Sequence, residues 1–429
     1  MSNSSKNAAI IGAGPAGLFS AKQSLQKGFN VTVYERNEGL GGVWRYTDEI
    51  GKDKHGLDIH SAMYTNLRTN IPIQVMASSS FPFPSGLESY PLHTEILKYL
   101  ESFADHFDLR RHIKFSQNVT HIVPIANDKW EISVKDLVNN VSAKWIYDVV
   151  FVANGHFSVP NIPKIDGASE FGGKMIHSHD FRDAEKYRGD QILIIGSGPS
   201  GKDLAAHCSN TADRITWSQR RIPNESMEAL ELRKSLLPPR VTLQEDVKRF
   251  TSTGAEFLDG SHQTFSVVIF ATGYQFKFPF LDDECGIRVE DNYVQPLYKH
   301  IINIEHPTMA FIGITFLHEM EIKFALKFIT GEKNSPSKRE MLDDMQTQYQ
   351  ILSNKGIPKH KMHALYSPEL FQDYLKQLSN AGDIEKYPDV LCSIYEDSIL
   401  TLISDPNGFR KYNYIIIDDK TFTKEKFEQ

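Results

Sequence analysis

The chain has 429 residues, which at roughly 150 residues per domain corresponds to two or three domains with a large core. Hydrophobic residues make up 40% and charged residues 24%, as in a globular protein and unlike a disordered chain or a membrane bundle. The formal net charge of −7 gives no basic field, so we expect no nucleic-acid partner. The three cysteines form no C-x-x-C pair, which argues against a dithiol redox centre, a cysteine-ligated zinc and a disulfide framework.

The N-terminus does not resemble a targeting segment. Polar residues 2–7 lead directly into an apolar run and a glycine turn, unlike a signal peptide. No stretch approaches the ~20 apolar residues of a membrane helix. We therefore expect a soluble, cytoplasmic protein without a membrane anchor, extracellular only if a signal peptide was removed from the chain.

The first predicted element is a short apolar strand at residues 9–11, which enters a G-x-G-P-x-G loop at residues 12–17. A helix over 18–26 and a second strand over 31–34 follow, and that strand ends at Glu35. This order is the start of a βαβ unit.

The same pattern occurs again in the middle of the chain. An apolar strand at 192–195 enters a second G-x-G-P-x-G loop at 196–201, and a helix follows over 202–208. A strand over 214–218 then ends before the sequence Gln-Arg-Arg of residues 219–221. Two copies of this loop, each between an apolar strand and a helix, are far more specific than one and indicate two dinucleotide sites.

Two further apolar strands indicate how the chain connects the two units. Residues 148–156 resemble residues 267–274, and both segments are typical of the last buried strand of a doubly wound sheet. The second unit is therefore predicted to be inserted in the first. The predicted boundaries are 1–166 for the first part of the larger domain, 167–283 for the smaller domain, and 284–429 for the second part with a C-terminal helical region.

The two loops differ in the residues that follow the second strand. In such loops the glycines allow a tight turn, approach of backbone N–H groups to a pyrophosphate, and close helix packing. Glu35 suits the ribose hydroxyls of FAD or NAD and would repel a 2′-phosphate. At the equivalent position of the second unit Arg220, with Gln219 and Arg221, suits the 2′-phosphate of NADPH, although a solvated pair is the alternative for the two arginines.

The predicted fold is therefore α/β, with two Rossmann-like dinucleotide-binding domains and the smaller NADPH-binding domain inserted in the larger FAD-binding domain. A flavin and NADPH in one chain indicate reduction of the flavin by NADPH. Because a disulfide reductase would need a C-x-x-C pair, dioxygen is the expected electron acceptor, through a C4a-(hydro)peroxyflavin.

Residues 171–181 carry a further motif. Phe171, Gly173, His177 and Phe181 fit the pattern F-x-G-x-x-x-H-x-x-x-[FY], and with them the chain resembles class B flavin monooxygenases, specifically the flavin-containing monooxygenase family. Phenylalanine at position 181, where Baeyer–Villiger relatives have tryptophan, separates the chain from those relatives. Further similar stretches are residues 35–36, 40–44, 67–70, 81–84 and 270–274.

The loop patterns and the resemblance together give two sets of cofactor-binding residues. The predicted FAD-binding residues are Gly12, Gly14, Pro15, Ala16, Gly17, Glu35, Arg36, Val43, Trp44 and Val119. The predicted NADPH-binding residues are Gly196, Ser197, Gly198, Pro199, Ser200, Gly201, Gln219, Arg220 and Arg221, and Thr272 is a further predicted cofactor contact.

The resemblance implies one catalytic residue, Asn70. Its amide would form a hydrogen bond near the flavin C4a and the nicotinamide and so retain the hydroperoxide, while Thr69 would line the same pocket as a cofactor contact. An amide suits this position because it donates and accepts hydrogen bonds without acting as an acid. A turn asparagine before a proline is the alternative. His177 is expected to be structural, and we expect no metal because His177 and His179 have no third ligand nearby.

One position departs from the family pattern. Glu321 stands where many members have a glutamine near the isoalloxazine, which leaves the flavin contacts of this helix open, so Glu321 is not among the predicted site residues. The sequence shows no C-terminal anchor helix, and in this it resembles the soluble insect-type members of the family. Some of those members N-oxygenate pyrrolizidine alkaloids such as senecionine.

The expected function is NADPH- and O₂-dependent oxygenation, through a C4a-hydroperoxyflavin, of nitrogen or sulfur in soft nucleophiles such as tertiary amines, alkaloids and sulfides. Alkaloid detoxification and xenobiotic metabolism are the expected roles. The expected partners are a small-molecule substrate and O₂. The sequence does not decide whether the chain forms a homo-oligomer. A Baeyer–Villiger monooxygenase is one alternative, and an uncoupled NADPH oxidase or a non-oxygenating FAD- and NADPH-binding sensor is the other.

Overall fold

The computed structural model describes residues 5–220, 222, 225–365 and 367–427, so the predicted cofactor contact Arg221 lies outside the described residues. The chain divides into two compact units. The first unit comprises the residues up to Arg45, then Ile71–His156, and those from Phe276 on. The second unit comprises Tyr46–Asn70 and Phe157–Gln275.

Regular secondary structure extends from Asn7 to Lys426 in the described part of the chain. The strands are β1 Asn7–Ile11, β2 Asn30–Tyr34, β3 Ile113–Lys114, β4 Gln117–Ile125, β5 Lys129–Asp136, β6 Val141–Tyr147, β7 Val149–Val152, β8 Lys174–His177, β9 Gln191–Ile195, β10 Arg214–Ser218, β11 Val241–Gln244, β12 Val247–Phe250, β13 Gly254–Phe257, β14 His262–Thr264, β15 Val267–Phe270, β16 Arg288–Glu290, β17 Tyr293–Gln295, β18 Leu297–Tyr298, β19 Ile302–Asn303, β20 Met309–Phe311, β21 Tyr412–Ile416 and β22 Phe422–Lys426. The α-helices are α1 Pro15–Gln26, α2 Ile73–Met76, α3 His93–His106, α4 Pro199–Cys208, α5 Met227–Ser235, α6 His318–Ile329, α7 Lys338–Asn354, α8 Pro368–Gly382 and α9 Asp389–Ser404.

The first unit is built around a seven-stranded sheet in the order β18-β19-β20-β7-β1-β2-β3. β1 pairs in parallel with β2 on one side and with β7 on the other, and β20 pairs in parallel with β7. Ala8, Ile10 and Phe151 are wholly buried, as expected for a parallel sheet covered on both faces. The carboxyl ends of β1, β2, β7 and β20 therefore lie at one edge, where dinucleotides bind in such sheets.

The helix after β1 begins earlier than the sequence pattern predicts. α1 starts at Pro15, three residues before the predicted start at residue 18. Proline is well suited to this first helical position because an N–H there has no partner within the helix, and because its φ is already helical.

The second unit repeats this arrangement on a smaller scale. Its five-stranded sheet has the order β11-β10-β9-β15-β8, and every pair in it is parallel. β9, α4 and β10 follow one another as β1, α1 and β2 do in the first unit. The predicted α/β fold with two Rossmann-like units is confirmed.

The segment Tyr46–Asn70 follows β2 in the chain but packs with the second unit. Tyr64, which is 5% exposed, joins the core formed by Phe181 and Leu204, and Leu67 packs against that core. The divisions of the structure, after residues 156 and 275, also differ from the predicted boundaries after 166 and 283. Strand patterns identify sheets, whereas this segment has no strand and is placed by its apolar side chains. The assignment of 1–166 and 284–429 to FAD and of 167–283 to NADPH stays a prediction.

The last part of the chain is mainly helical. α7 begins with a capping box, in which the Ser337 hydroxyl accepts from the Glu340 N–H and the Glu340 carboxylate accepts from the Ser337 N–H. The sequence pattern predicts a helix over 340–352, and the observed helix is two residues longer at each end. Among the helices that the structure describes, none has the length and apolar character needed to cross a membrane.

Candidate active site

The loop after β1 is a backbone cradle at the start of α1. Gly12 has φ +108°, and a Cβ there would lie 2.6 Å from the carbonyl oxygen of Ala153. A Cβ on Gly17 would lie 1.9 Å from the oxygen of Gly12, so α1 approaches the loop more closely than any side chain allows. Gly14 precedes Pro15 at the helix N-terminus, where backbone N–H groups and the helix dipole favour an anion.

Glu35, at the end of β2, is 4% exposed and is bound to this loop. Its Oε2 accepts from the Ala13 N–H at 2.8 Å, and its Oε1 accepts from the backbone and side-chain N–H groups of Asn37, both at 2.8 Å. Burial raises the pKa of Glu35, and the donors from Asn37 and Ala13, with the charge of Arg36, oppose that rise. Because a carboxylate oxygen can accept two hydrogen bonds, Oε2 can also take one from a ligand hydroxyl.

A second turn covers the same cradle. The Gly41 N–H donates to the Ala13 oxygen at 2.9 Å, and a Cβ on Gly42 would lie 2.9 Å from the Cα of Gly14. The predicted FAD contacts Val43 and Trp44 are half-buried in the turn that follows. Sequence reasoning missed the glycine pair as part of the cradle, although its two positive φ angles, +113° and +56°, explain why glycine stands there.

The other predicted FAD contacts lie in the same unit. Pro15 and Ala16 are the first two residues of α1, and Arg36 is half-buried directly after Glu35. Val119 is 8% exposed on β4. The β4 strand meets the end of β2 through a backbone hydrogen bond of 2.9 Å, in which the Gln117 N–H donates to the carbonyl oxygen of Glu35.

The second loop has the same construction around β9 and α4. Gly196 has φ +125°, and a Cβ there would lie 2.2 Å from the Ala271 oxygen. A Cβ on Gly201 would lie 2.3 Å from the Gly196 oxygen, which also accepts from the indole N–H of Trp217 at 2.7 Å. By contrast, no described atom lies within 4 Å of a Cβ on Gly198, so that glycine is not required by packing. The exposed residues of the loop are Ser197, Gly198 and Pro199, and Ser200 is half-buried.

Gln219, at the end of β10, makes a contact that the sequence did not predict. The side-chain oxygen of Gln219 accepts from Arg233 at 2.7 Å, and Arg233 also pairs with Glu225 at 2.7 Å. Arg220 is exposed. Arg233 lies on α5, 14 residues after Gln219, and nothing in the sequence predicts that the two side chains meet.

The remaining predicted site residues lie in the second unit as well. Thr69 is buried and Asn70 is exposed at the end of the 46–70 segment. The Thr272 hydroxyl donates to the backbone oxygen of Asn161, and the Thr272 nitrogen lies 3.4 Å from the position of a Cβ on Gly196. Thr272 therefore lies beside the second loop.

Two ionisable groups, Glu321 and His156, contact the backbone of Gly313 after β20 in the first unit. Glu321 on α6 is wholly buried, and its carboxylate accepts from the Gly313 N–H at 2.6 Å and from the Thr315 hydroxyl. His156 Nδ1 lies 3.0 Å from the Gly313 oxygen. Burial raises the pKa of Glu321 to about 7 and lowers that of His156 to about 4. Glu321 thus binds a backbone loop of its own unit.

No group of three or more potential metal ligands occurs within the part of the chain that the structure describes. Both cradles instead fit phosphate groups of dinucleotides. The first joins a helix N-terminus to a buried carboxylate, as the pyrophosphate and ribose of FAD require, and the second joins a helix N-terminus to the open position at Gly198.

Comparisons with known proteins agree with this geometry. The sequence matches the family described as flavin-binding monooxygenase-like over residues 5–224 and 219–414. The chain belongs to this family. Its members are oxidoreductases with FAD and NADPH as cofactors, and the two cradles fit these cofactors.

Proteins similar to this chain include enzymes named for the oxygenation of nitrogen or sulfur. Senecionine N-oxygenase from Tyria jacobaeae is 33% identical over 429 aligned residues, covering 99% of this chain and 92% of that protein. The flavin-containing monooxygenase FMO GS-OX4 from Arabidopsis thaliana is 32% identical, covering 90% and 87%. The solved structure of S-allyl-L-cysteine S-oxygenase from Allium sativum has a TM-score of 0.84 at 28% identity and covers 96% of each chain.

The two glycines of the second loop are expected to respond differently to alanine. Gly201→Ala should lower the free energy of unfolding by about 2 kcal/mol, because its Cβ would collide with a backbone oxygen. Gly198→Ala should change it by less than about 0.5 kcal/mol but weaken NADPH binding about tenfold, because we expect the pyrophosphate to approach the backbone at this open position. Denaturant unfolding and NADPH titration measure the two effects. Unchanged NADPH affinity in Gly198→Ala would contradict the proposed position of the pyrophosphate.

Glu321 is expected to make stability depend on pH. Its folded-state pKa of about 7 lies above the ordinary glutamate value of 4.5, so between these values the folded protein binds more protons than the unfolded chain. The contribution of Glu321 therefore becomes less favourable as pH rises through that window. The free energy of unfolding of Glu321→Gln, relative to wild type, should increase by about 3 kcal/mol between pH 4.5 and pH 8. Urea unfolding at several pH values tests this, with the exposed Glu228→Gln as control, and parallel curves would disprove it.

Proposed function

We propose that this protein is an NADPH- and O₂-dependent monooxygenase that transfers one oxygen atom to nitrogen or sulfur of soft nucleophiles. Tertiary amines, including alkaloids of the pyrrolizidine class, and sulfides are the proposed substrates. The observation that carries the proposal is the presence of two separate dinucleotide cradles in a chain of the flavin-binding monooxygenase-like family. Each cradle is assigned to one cofactor by its own residues.

The first cradle is proposed to hold FAD. The Gly12–Gly17 loop receives the pyrophosphate, and Glu35 accepts from a ribose hydroxyl while it holds the loop through the Ala13 N–H. The second cradle is proposed to hold NADPH, with the pyrophosphate at Gly198 and the 2′-phosphate near Arg220. FAD and NADPH held by these residues would supply the two electrons needed to reduce O₂, with one oxygen atom entering the substrate and the other leaving as water.

The cysteines support O₂ as the electron acceptor. Burial raises the pKa of the Cys208 and Cys285 thiols to about 12 and that of Cys392 to about 11. These thiols are therefore protonated at neutral pH and poor nucleophiles. A thiol–disulfide reaction has no suitable group among them.

Asn70 is the residue proposed to act where O₂ reacts. Its amide would donate a hydrogen bond to oxygen during the reaction, and it carries no acidic proton that would promote release of H₂O₂. The substrate attacks with its own lone pair, so no protein nucleophile is needed.

Asn70→Ala should divert electrons from product to H₂O₂. We expect the ratio of H₂O₂ to oxygenated product to rise about tenfold, which corresponds to the loss of one ordinary hydrogen bond of about 1.4 kcal/mol. NADPH consumption, H₂O₂ and product are measured together, with Asn380→Ala, an exposed position on α8, as the matched control. An unchanged ratio in Asn70→Ala would show that Asn70 does not have this role.

The proposed substrates should respond differently to pH. Only the neutral amine has a free lone pair, so kcat/KM for a tertiary amine should rise about tenfold per pH unit below the pKa of that amine. The value for a matched sulfide should not show this rise. Identical profiles for the two substrates would contradict attack by the substrate lone pair.

The test of the proposed function is a product assay with a tertiary amine, a sulfide and a cyclic ketone. N-oxide or S-oxide formation that depends on NADPH and O₂ supports the proposal. Ester from the ketone without any N- or S-oxide would indicate Baeyer–Villiger chemistry. H₂O₂ in amounts equal to NADPH consumed, without oxygenated product, would indicate an oxidase.

A further inference from the structure

We propose that Arg182 is a positioning residue for oxygenation, because it fixes the 46–70 segment, which ends in Asn70, to the core of the second unit. The inference rests on the proposed function, in which Asn70 acts at the site of oxygen transfer. All the contacts that carry it lie within the second unit.

The Arg182 guanidinium joins two parts of the chain that are far apart in sequence. It is 1% exposed. Nη2 donates to the backbone oxygens of Glu49 at 2.9 Å and Ser61 at 3.0 Å, both in the 46–70 segment. Nη1 donates to the oxygens of His179 at 2.6 Å and Phe181 at 3.0 Å, in the turn after β8. One planar group thus holds four carbonyl groups in a fixed arrangement.

The segment also binds back to the arginine. The Thr65 N–H donates to the Arg182 backbone oxygen at 2.8 Å, and the Thr65 hydroxyl donates to the same oxygen at 3.1 Å. Thr65 lies five residues before Asn70. The attachment therefore extends from Glu49 nearly to the end of the segment.

Tyr64 connects the segment to the helix of the second phosphate loop. Its hydroxyl donates to the Asp203 carboxylate on α4 at 3.0 Å. Its ring lies edge-on to Phe181, with centroids 5.6 Å apart, and to His207 of α4, with centroids 5.3 Å apart. The helix that begins the proposed NADPH cradle and the segment that carries Asn70 are thus packed together.

This attachment decides where Asn70 lies. Tyr64 and Thr65 are held by packing and hydrogen bonds, whereas Asn70 is exposed at the end of the segment. An exposed amide keeps one position only if the backbone before it is fixed, and errors of about 1 Å in the placement of a reacting group have large effects on rate. Loss of the Arg182 contacts should therefore affect the fate of oxygen more than cofactor binding.

The test uses the FAD-loaded enzyme and the variant Arg182→Lys, which keeps the charge but loses the forked donors. We expect the ratio of H₂O₂ to oxygenated product to rise at least about threefold, while FAD content and KM for NADPH change less than about twofold. Hydrogen exchange of backbone amides in residues 46–70 should become at least about tenfold faster. Arg188→Lys, at an exposed ion pair with Glu185 in the same unit, is the matched control and should change neither quantity.

A milder variant keeps the inference testable if Arg182→Lys does not fold. Tyr64→Phe removes the hydrogen bond to Asp203 and keeps the ring, and it should raise both the H₂O₂ ratio and the exchange rate by a smaller factor. The inference would be overturned if both variants kept the wild-type ratio of H₂O₂ to product, even if their backbone amides exchanged faster. If Arg182→Lys does not fold, a wild-type ratio in Tyr64→Phe alone would overturn it.

Failure of the proposed role of Asn70 gives a different result. If Asn70→Ala keeps the wild-type ratio while Arg182→Lys raises it and loosens the segment, the positioning role of Arg182 stands and another residue of the segment acts on oxygen. If Asn70→Ala raises the ratio and Arg182→Lys does not, the role of Asn70 stands and that of Arg182 is refuted.

Discussion

The constraint on which both units depend is the close approach of a helix to the loop that precedes it. In the first unit Gly17 faces the Gly12 oxygen, and in the second Gly201 faces the Gly196 oxygen, at distances that no Cβ could occupy. This approach directs the helix N-terminus at the loop, where its N–H groups can meet phosphate. The order of β-strand, loop and helix then fixes the carboxyl edge of each parallel sheet as the binding edge.

Each unit also buries an ionisable side chain and surrounds it with backbone hydrogen-bonding groups. Glu35 receives N–H groups from Ala13 and Asn37, whereas Arg182 donates to four carbonyl oxygens. A buried ionisable group is tolerated only when its hydrogen-bonding capacity is largely satisfied, so each of these side chains specifies one arrangement of the surrounding loops. Glu321 does the same for the turn at Gly313.

The sequence was sufficient where the physics is local. The glycine spacing predicted both phosphate loops, and the apolar runs predicted their strands, because turn geometry and burial on both faces act over a few residues. The contacts of Arg233 with Gln219 and of Glu321 with Gly313 were not predictable in this way. They depend on which elements become neighbours after folding, and spacing along the chain carries no such information.

The 46–70 segment shows the same limit on a larger scale. Its sequence position, after the acidic end of β2, associates it with the first cradle, yet Tyr64 and Leu67 are buried in the core of the second unit. Burying an aromatic ring and forming hydrogen bonds to a fully buried guanidinium favour this placement more strongly than chain proximity, which constrains only the two ends of the segment. The unit that the proposed function assigns to NADPH is therefore built from two separate stretches of chain. A substitution near residue 64 should therefore disturb the same packing and hydrogen bonds as substitutions near residues 182 and 203.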